Sequence, residues 1–138
     1  MEAEIPEVDP VMAAKRCNED PNAVIIDVRS RVEHEFVGHP TGAIHIPWKE
    51  FPDWEENEHF CALVDEALSA RAGERMNTPL LMLCRSGARS LAAAKNLMAH
   101  GYQDVTNIAE GFEGDKDEND HRGNINGWRF HGLDWEQS

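Results

Sequence analysis

Two short apolar runs interrupt an otherwise polar chain, at positions 23–28 and 80–83. Both are nearly free of polar alternation and shorter than a usual helix, which is typical of strands buried on both faces of a parallel sheet. A third candidate strand occupies positions 105–108. We therefore expect these segments to pair in a parallel sheet.

Helical patterns lie between and after these runs. Asp9 and Pro10 are typical of an N-cap and a first helical residue, which predicts a helix from there through about Cys17. Apolar residues recur at three-and-four spacing over 60–68 and 91–98, and Gly101 is placed to cap the latter helix. Strands that alternate with helices predict an α/β fold whose parallel sheet carries helices on both faces.

The composition limits the classes of function. A length of 138 residues with 41% hydrophobic content favours one compact domain. The net charge of -13 disfavours nucleic acid and anionic membranes as partners, so a local group of cations would be notable. No apolar stretch resembles a membrane span and residues 1–10 do not resemble a secretion signal, so we expect a cytoplasmic protein.

The candidate chemistry begins at Cys84, directly after the apolar run 80–83. Ligands of parallel sheets bind beyond the carboxyl ends of strands, where this thiol would lie. The turn after it can point backbone N–H groups and a helix N-terminus at one spot, and two arginines add positive charge. The residues of this turn are Arg85, Ser86, Gly87, Ala88, Arg89 and Ser90. Such a turn would favour the thiolate, the nucleophilic form, and would also receive an anionic substrate.

The segment CRSGARS at 84–90 and the segment DVRSRVEHEFVGHPTGAIHIP at 27–47 together resemble a rhodanese domain of the single-domain sulfurtransferase type. The resemblance covers roughly residues 5–112, with both motifs in the family's order and spacing. It implies a three-layer α/β fold with a central parallel sheet, here in a single domain over 1–138. Residues 113–127 would form an acidic insertion, and the aromatic tail 128–138 would pack back onto the domain.

The resemblance implies a persulfide mechanism, and we expect no cofactor. The seven histidines show no metal-binding helical pairing, so we expect no metal either. Cys84 matches the family's nucleophile, which takes a sulfane sulfur from a small anionic donor such as thiosulfate and passes it to cyanide, a thiol or a partner protein. We expect Arg85 to bind the donor and Arg89 to brace the loop. Asp27 and Arg29 match a family motif that supports the architecture of the site. The insertion and the tail are expected to shape the acceptor side of the pocket.

Two other functions remain open. Related phosphatases and arsenate reductases hold a tetrahedral oxyanion in a Cys-x5-Arg loop, whereas four residues separate Cys84 from Arg89, which favours sulfur transfer. A sulfur-carrier or protein-binding module, in which Cys84 accepts sulfur from one protein and yields it to another, fits the cysteine loop equally well.

Other polar patterns are interpreted as structural. Residues 38–47 read GHPTGAIHIP where relatives commonly read GHIPGAINIP, and we expect His39 and His45 to be structural. Residues 115–126 imitate a calcium loop but have Asp120 in place of its glycine and Asn126 in place of its bidentate glutamate. Cys17 and Cys61 lie in helical patterns without the turn, the helix start and the two arginines that accompany Cys84, and we expect both to be structural.

Overall fold

A five-stranded parallel sheet forms the centre of the computed structural model, which describes residues 4–70 and 74–137. Its strands are β1 (Glu7–Val8), β2 (Val24–Asp27), β4 (Ile44–His45), β7 (Leu80–Leu83) and β8 (Val105–Ile108). They lie side by side in the order β1-β8-β7-β2-β4. Two antiparallel pairs lie outside this sheet: β3 (His39–Pro40) with β9 (Trp135–Glu136), and β5 (Lys49–Glu50) with β6 (Glu55–Glu56).

Three α-helices connect and cover the strands: α1 (Pro10–Glu19), α2 (Phe60–Leu68) and α3 (Ala88–His100). Shorter helical turns span Glu33–Val37, a π-helical turn, and Arg75–Asn77, a 3-10 turn. α1 begins as predicted, because the Asp9 carboxylate accepts the Met12 N–H at 2.8 Å. α3 ends as predicted at Gly101, whose φ of 125° and bonds to two preceding carbonyls close the helix.

The adjacent strands β2 and β7 are buried on both faces, as their continuous apolar sequence predicts. Successive side chains alternate, so Ile26 and Met82 pack against α2 and α3, whereas Ile25 and Leu81 pack on the side of α1. The sheet therefore lies between two helical layers, which confirms the predicted three-layer α/β fold.

The C-terminal tail completes the layer that contains α1. Trp128 is only 4% exposed and packs into the same cluster as Ala13 and Leu81, while its indole N–H donates to the Asp134 carbonyl at 2.9 Å. Trp135 contacts Phe112 edge to face, with ring centroids 6.1 Å apart. Within the described residues, no helix combines the length and the hydropathy needed to cross a bilayer.

Candidate active site

The Cys84 thiol lies at the carboxyl edge of the sheet, one residue after β7 and just before α3. It is 1% exposed, and the Gly87 N–H donates to its Sγ at 3.0 Å. Gly87 adopts φ 114°, a left-handed conformation that disfavours any side chain, and this turn brings its N–H round to the sulfur. In the described residues a single backbone amide donates to Sγ, so the cradle is smaller than the sequence indicated.

Arg89 is held by a carboxylate from another part of the chain. Its two terminal nitrogens donate to the two Glu33 oxygens, each at 2.8 Å. The Ser30 hydroxyl and N–H also donate to Glu33, at 2.8 and 3.1 Å. Burial by itself would raise the pKa of Glu33, but these bonds and the Arg89 charge outweigh it and lower that pKa to about 2. The charge of Arg89 is therefore neutralised within the protein.

Arg85 differs from Arg89 in the partners of its side chain. Its side chain is exposed and forms no hydrogen bond or ion pair with another residue of 4–70 or 74–137. Its backbone is nevertheless fixed, because the Arg85 carbonyl accepts the N–H groups of Glu113 and Gly114 at 3.0 and 3.2 Å. Of the two arginines of this loop, Arg85 is thus the one whose charge has no partner among the described residues.

Residues 111–114 support the cysteine loop from behind. The Phe112 N–H donates to the Cys84 carbonyl at 2.8 Å. Gly111 lies so close that a Cβ on it would stand 2.5 Å from the Arg85 carbonyl oxygen, and its φ is 69°. Because only glycine fits this contact, the segment before the acidic insertion is part of the site's frame.

Asp27 and Arg29 form an ion pair that is completely buried beside the site. The guanidinium donates to both carboxylate oxygens, at 2.9 and 2.7 Å, and to the Gly38 carbonyl at 2.6 Å. The Phe112 ring lies 4.4 Å from the guanidinium carbon. The pair therefore joins the end of β2 to the segments on either side of it.

Three histidine rings stack next to this pair. His34 lies between His39 and His45, with centroid distances of 3.8 and 4.2 Å. His39 is bonded to the His34 carbonyl and His45 to the Arg29 carbonyl, at 2.9 and 2.8 Å. Burial, followed by the neighbouring His45 ring, lowers the pKa of His34 to about 4. His39, which also contacts Glu136 Oε1 at 3.3 Å, and His45 are thus engaged with groups other than the sulfur.

Asn107, on β8, is a site residue that the sequence analysis missed. It is fully buried, and its side chain contacts Ser90, the Gly87 carbonyl and Glu7. A polar residue within a buried strand must find hydrogen bonds, which is the sequence signal that could have identified it. Glu33, by contrast, lies among several acidic residues and has no such signal.

The calcium-like pattern at 115–126 forms hydrogen bonds among its own residues. Among the described residues, no three His, Cys, Asp or Glu side chains are placed to hold a metal ion. In the acidic insertion, Asp117 accepts bonds from the N–H groups of Asn119 and His121 and from the Asn124 amide. The three cysteines are free thiols.

Comparison with known proteins relates this site to one family. The model for the rhodanese-like domain matches residues 10–118. The crystal structure of Rv0390 from M. tuberculosis is 33% identical with a TM-score of 0.83, covering 99% of this chain and 100% of that chain. An uncharacterised protein of Rickettsia conorii is 32% identical over 120 residues, 83% of this chain and 84% of the relative.

A relative with a named activity is more distant. The thiosulfate sulfurtransferase GlpE of Haemophilus influenzae is 26% identical over 92 residues, which is 67% of this chain and 71% of the relative. The family match covers most of the chain, and the likeness to Rv0390 extends over nearly its whole length. The chain belongs to the rhodanese-like domain family.

Proposed function

We propose that the protein is a thiosulfate-type sulfurtransferase in which Cys84 carries the sulfur as a persulfide. The observation that carries the proposal is the Cys84 Sγ at the start of α3, with the Gly87 N–H directed at it from 3.0 Å. An amide and a helix N-terminus both stabilise negative charge on that sulfur. Family membership and the name of the Haemophilus relative support the same activity.

The reaction proceeds in two displacements that conserve atoms and charge. The Cys84 thiolate attacks the sulfane sulfur of thiosulfate, the sulfur–sulfur bond of thiosulfate breaks, and its electron pair leaves with sulfite. Cyanide or a thiolate then attacks the terminal sulfur of the persulfide and releases the Cys84 thiolate. The acceptor becomes thiocyanate or a new persulfide, and no separate oxidant is consumed.

The two arginines have different roles in this proposal. Arg85 is exposed and unpaired among the described residues, so it attracts the anionic donor and stabilises departing sulfite. Arg89 is bonded to Glu33 at both terminal nitrogens and braces the loop. The same bonds disfavour a phosphatase or arsenate reductase, because the guanidinium that would hold a tetrahedral oxyanion is already occupied.

The insertion and the tail are assigned to the acceptor side of the site. The insertion starts at Glu113 and Gly114, whose N–H groups bind the Arg85 carbonyl. Its two ends are close, since the Asp115 N–H donates to the Asn126 side chain at 2.8 Å. Residues 115–126 can therefore be replaced by a short glycine turn, and we expect altered rates with protein or thiol acceptors but unchanged sulfur loading from thiosulfate. Equal rates with every acceptor would remove this assignment.

The donor, the acceptors and the location complete the proposal. The donor is thiosulfate or a similar small anion, because the thiol is almost fully buried and only a slender reacting group can approach it. The acceptor is cyanide, a thiol or a partner protein. Three free cysteines suit a reducing compartment, so we propose the cytoplasm.

The deciding experiment is the intact mass of reduced protein after incubation with thiosulfate and removal of the excess. We expect a gain of one sulfur atom that is lost on addition of cyanide. Cys84→Ser should show no gain, while Cys61→Ser, the matched control on α2, should gain sulfur like the unmodified chain. No gain in the unmodified chain would refute the thiosulfate activity and favour a carrier loaded only by a partner protein.

A further inference from the structure

A chain of polar side chains leads from Glu7, an exposed residue of β1, through two buried residues to the reactive sulfur. The Glu7 carboxylate contacts Asn107, Asn107 contacts Ser90, and the Ser90 hydroxyl lies 3.3 Å from Cys84 Sγ. Ser90 and Asn107 are completely buried, so their hydrogen bonds must be satisfied by each other and by their immediate neighbours. The positions of the protons in this chain can be deduced from the partners.

The partners of Asn107 fix the orientation of its amide. Its Nδ2 lies 2.9 Å from a Glu7 carboxylate oxygen and 3.0 Å from the Gly87 carbonyl oxygen. Both of these oxygens accept hydrogen bonds, so the donating NH₂ group faces them. The Asn107 Oδ1 therefore faces Ser90 Oγ, at 2.5 Å, and needs the Ser90 proton.

The Ser90 hydroxyl has one proton and three acceptors within reach. They are Asn107 Oδ1 at 2.5 Å, the Gly87 carbonyl at 3.2 Å and Cys84 Sγ at 3.3 Å. The Gly87 carbonyl already accepts from Asn107 and from the Leu91 N–H. The shortest contact takes the proton, so in the thiol state Ser90 donates to Asn107 and offers a lone pair to the Cys84 S–H.

We propose that Asn107 is a positioning residue that, through Ser90, sets how readily Cys84 becomes an anion. On ionisation the thiol proton leaves to solvent and the S–H bond to Ser90 is lost. The Ser90 O–H then turns about its own C–O bond and donates to the sulfur, leaving Asn107 Oδ1 without that donor. Asn107 thus competes with the thiolate for a single proton and opposes ionisation of the resting thiol.

The competition for the Ser90 proton affects sulfur transfer through the persulfide mechanism proposed above, and this part of the inference rests on that function. In the persulfide, the negative charge lies on the terminal sulfur and Sγ is neutral. The Ser90 hydroxyl then donates to Asn107 Oδ1 again, because neutral divalent sulfur is a weak acceptor. The hydroxyl direction would differ between the sulfur-free thiolate and the loaded enzyme.

The test measures alkylation of Cys84 by iodoacetamide as a function of pH, read on the tryptic peptide 76–85. A donor to the thiolate is worth about one pH unit, a tenfold change in thiolate population. Ser90→Ala should therefore move the pH of half-maximal rate up by about one unit. Asn107→Leu should move it down, because the hydroxyl no longer has a competing acceptor.

The double variant separates this role from a merely structural one. If Asn107 acts through Ser90, Asn107→Leu should have no effect in the Ser90→Ala background. A loop loosened by loss of the Gly87 contact would instead shift the profile equally in both backgrounds, and that result would overturn the proposal. An upward shift or no shift for Asn107→Leu alone would also overturn it.

Controls keep the result interpretable. Asn18→Leu makes the same substitution at an exposed position of α1, on the far side of the sheet, and should leave the profile unchanged. Circular dichroism checks that each variant is folded, and Asn107→Ala replaces Asn107→Leu if the latter is not. Alkylation requires no sulfur donor, so the two proposals can fail separately. If no sulfur is gained by mass, the proposed function is refuted, whereas the role of Asn107 is tested by the pH profile of alkylation alone.

Discussion

The Glu33–Arg89 pair joins the π-helical turn after β2 to the first turn of α3, so its removal should destabilise the domain measurably. The side chains are 12% and 17% exposed, so each is largely removed from water. Replacement of one partner leaves the other charge partly buried without its counter-charge. We expect Glu33→Gln and Arg89→Met each to lower the free energy of unfolding at pH 7.

The pKa of Glu33 gives the magnitude. A decrease from 4.5 to about 2 corresponds to about 3 kcal/mol of differential stabilisation of the carboxylate. Residual exposure reduces the effect, so we expect about 2 kcal/mol for each single variant. Because the two substitutions remove the same bonds, the double variant should cost at least about 1 kcal/mol less than the singles added together.

The pH dependence provides a separate test of the same reasoning. The folded-state pKa is lower than the unfolded one, so the contribution of Glu33 is fully present above pH 4.5 and is lost as the pH falls towards 2. Urea unfolding at a series of pH values should therefore show the unmodified chain and Glu33→Gln converging through that range. A difference below about 0.5 kcal/mol at pH 7, or one that does not change with pH, would refute the argument.

Three further substitutions test the frame and the loop. Gly111→Ala would place a methyl group 2.5 Å from backbone atoms of Arg85 at φ 69°, and should lower stability by about 2 kcal/mol or more in urea unfolding; a near-neutral result would contradict the rigid support. Trp128→Ala removes a side chain that is 4% exposed and should cost about 3–5 kcal/mol by the same assay; a loss below 1 kcal/mol would mean that the tail is not part of the core. Arg85→Ala should raise the KM for thiosulfate about tenfold, equivalent to about 1.4 kcal/mol, with a smaller effect on kcat and none on stability. An unchanged KM in steady-state kinetics would exclude Arg85 as the donor-binding cation.

Local patterns in the sequence predicted much of the fold. The apolar runs at 23–28 and 80–83 form the adjacent strands β2 and β7, and the Asp9 cap and Gly101 mark helix ends in the structure. These features depend on residues a few positions apart, which is why they are legible in a single sequence. The two-residue strands β1 and β4 escaped prediction, since their sequences carry no period of their own.

The electrostatics of the site could be predicted only in part. The sequence shows two arginines after Cys84, but it does not show that one of them is neutralised by a carboxylate 56 positions earlier. It also suggests a turn whose amides converge on the sulfur, whereas the described structure directs one amide there and places the Ser90 Oγ 3.3 Å from it. Both differences reduce the positive charge around the thiol, and they make the remaining donors individually more important.

The strand order explains why Glu33, the cysteine loop and Gly111 lie together. Strands β2, β7 and β8 are adjacent and parallel, so the chain leaves all three at the same edge of the sheet. Glu33 follows β2, the cysteine loop follows β7, and Gly111 follows β8, which brings together groups separated by dozens of residues. Neighbouring strands of a parallel sheet are fixed by long-range packing and not by local pattern, so a sequence that predicts each strand still leaves this meeting point undetermined. Once the order is known, the segments that follow these three strands contain the first residues to test for an effect on Cys84.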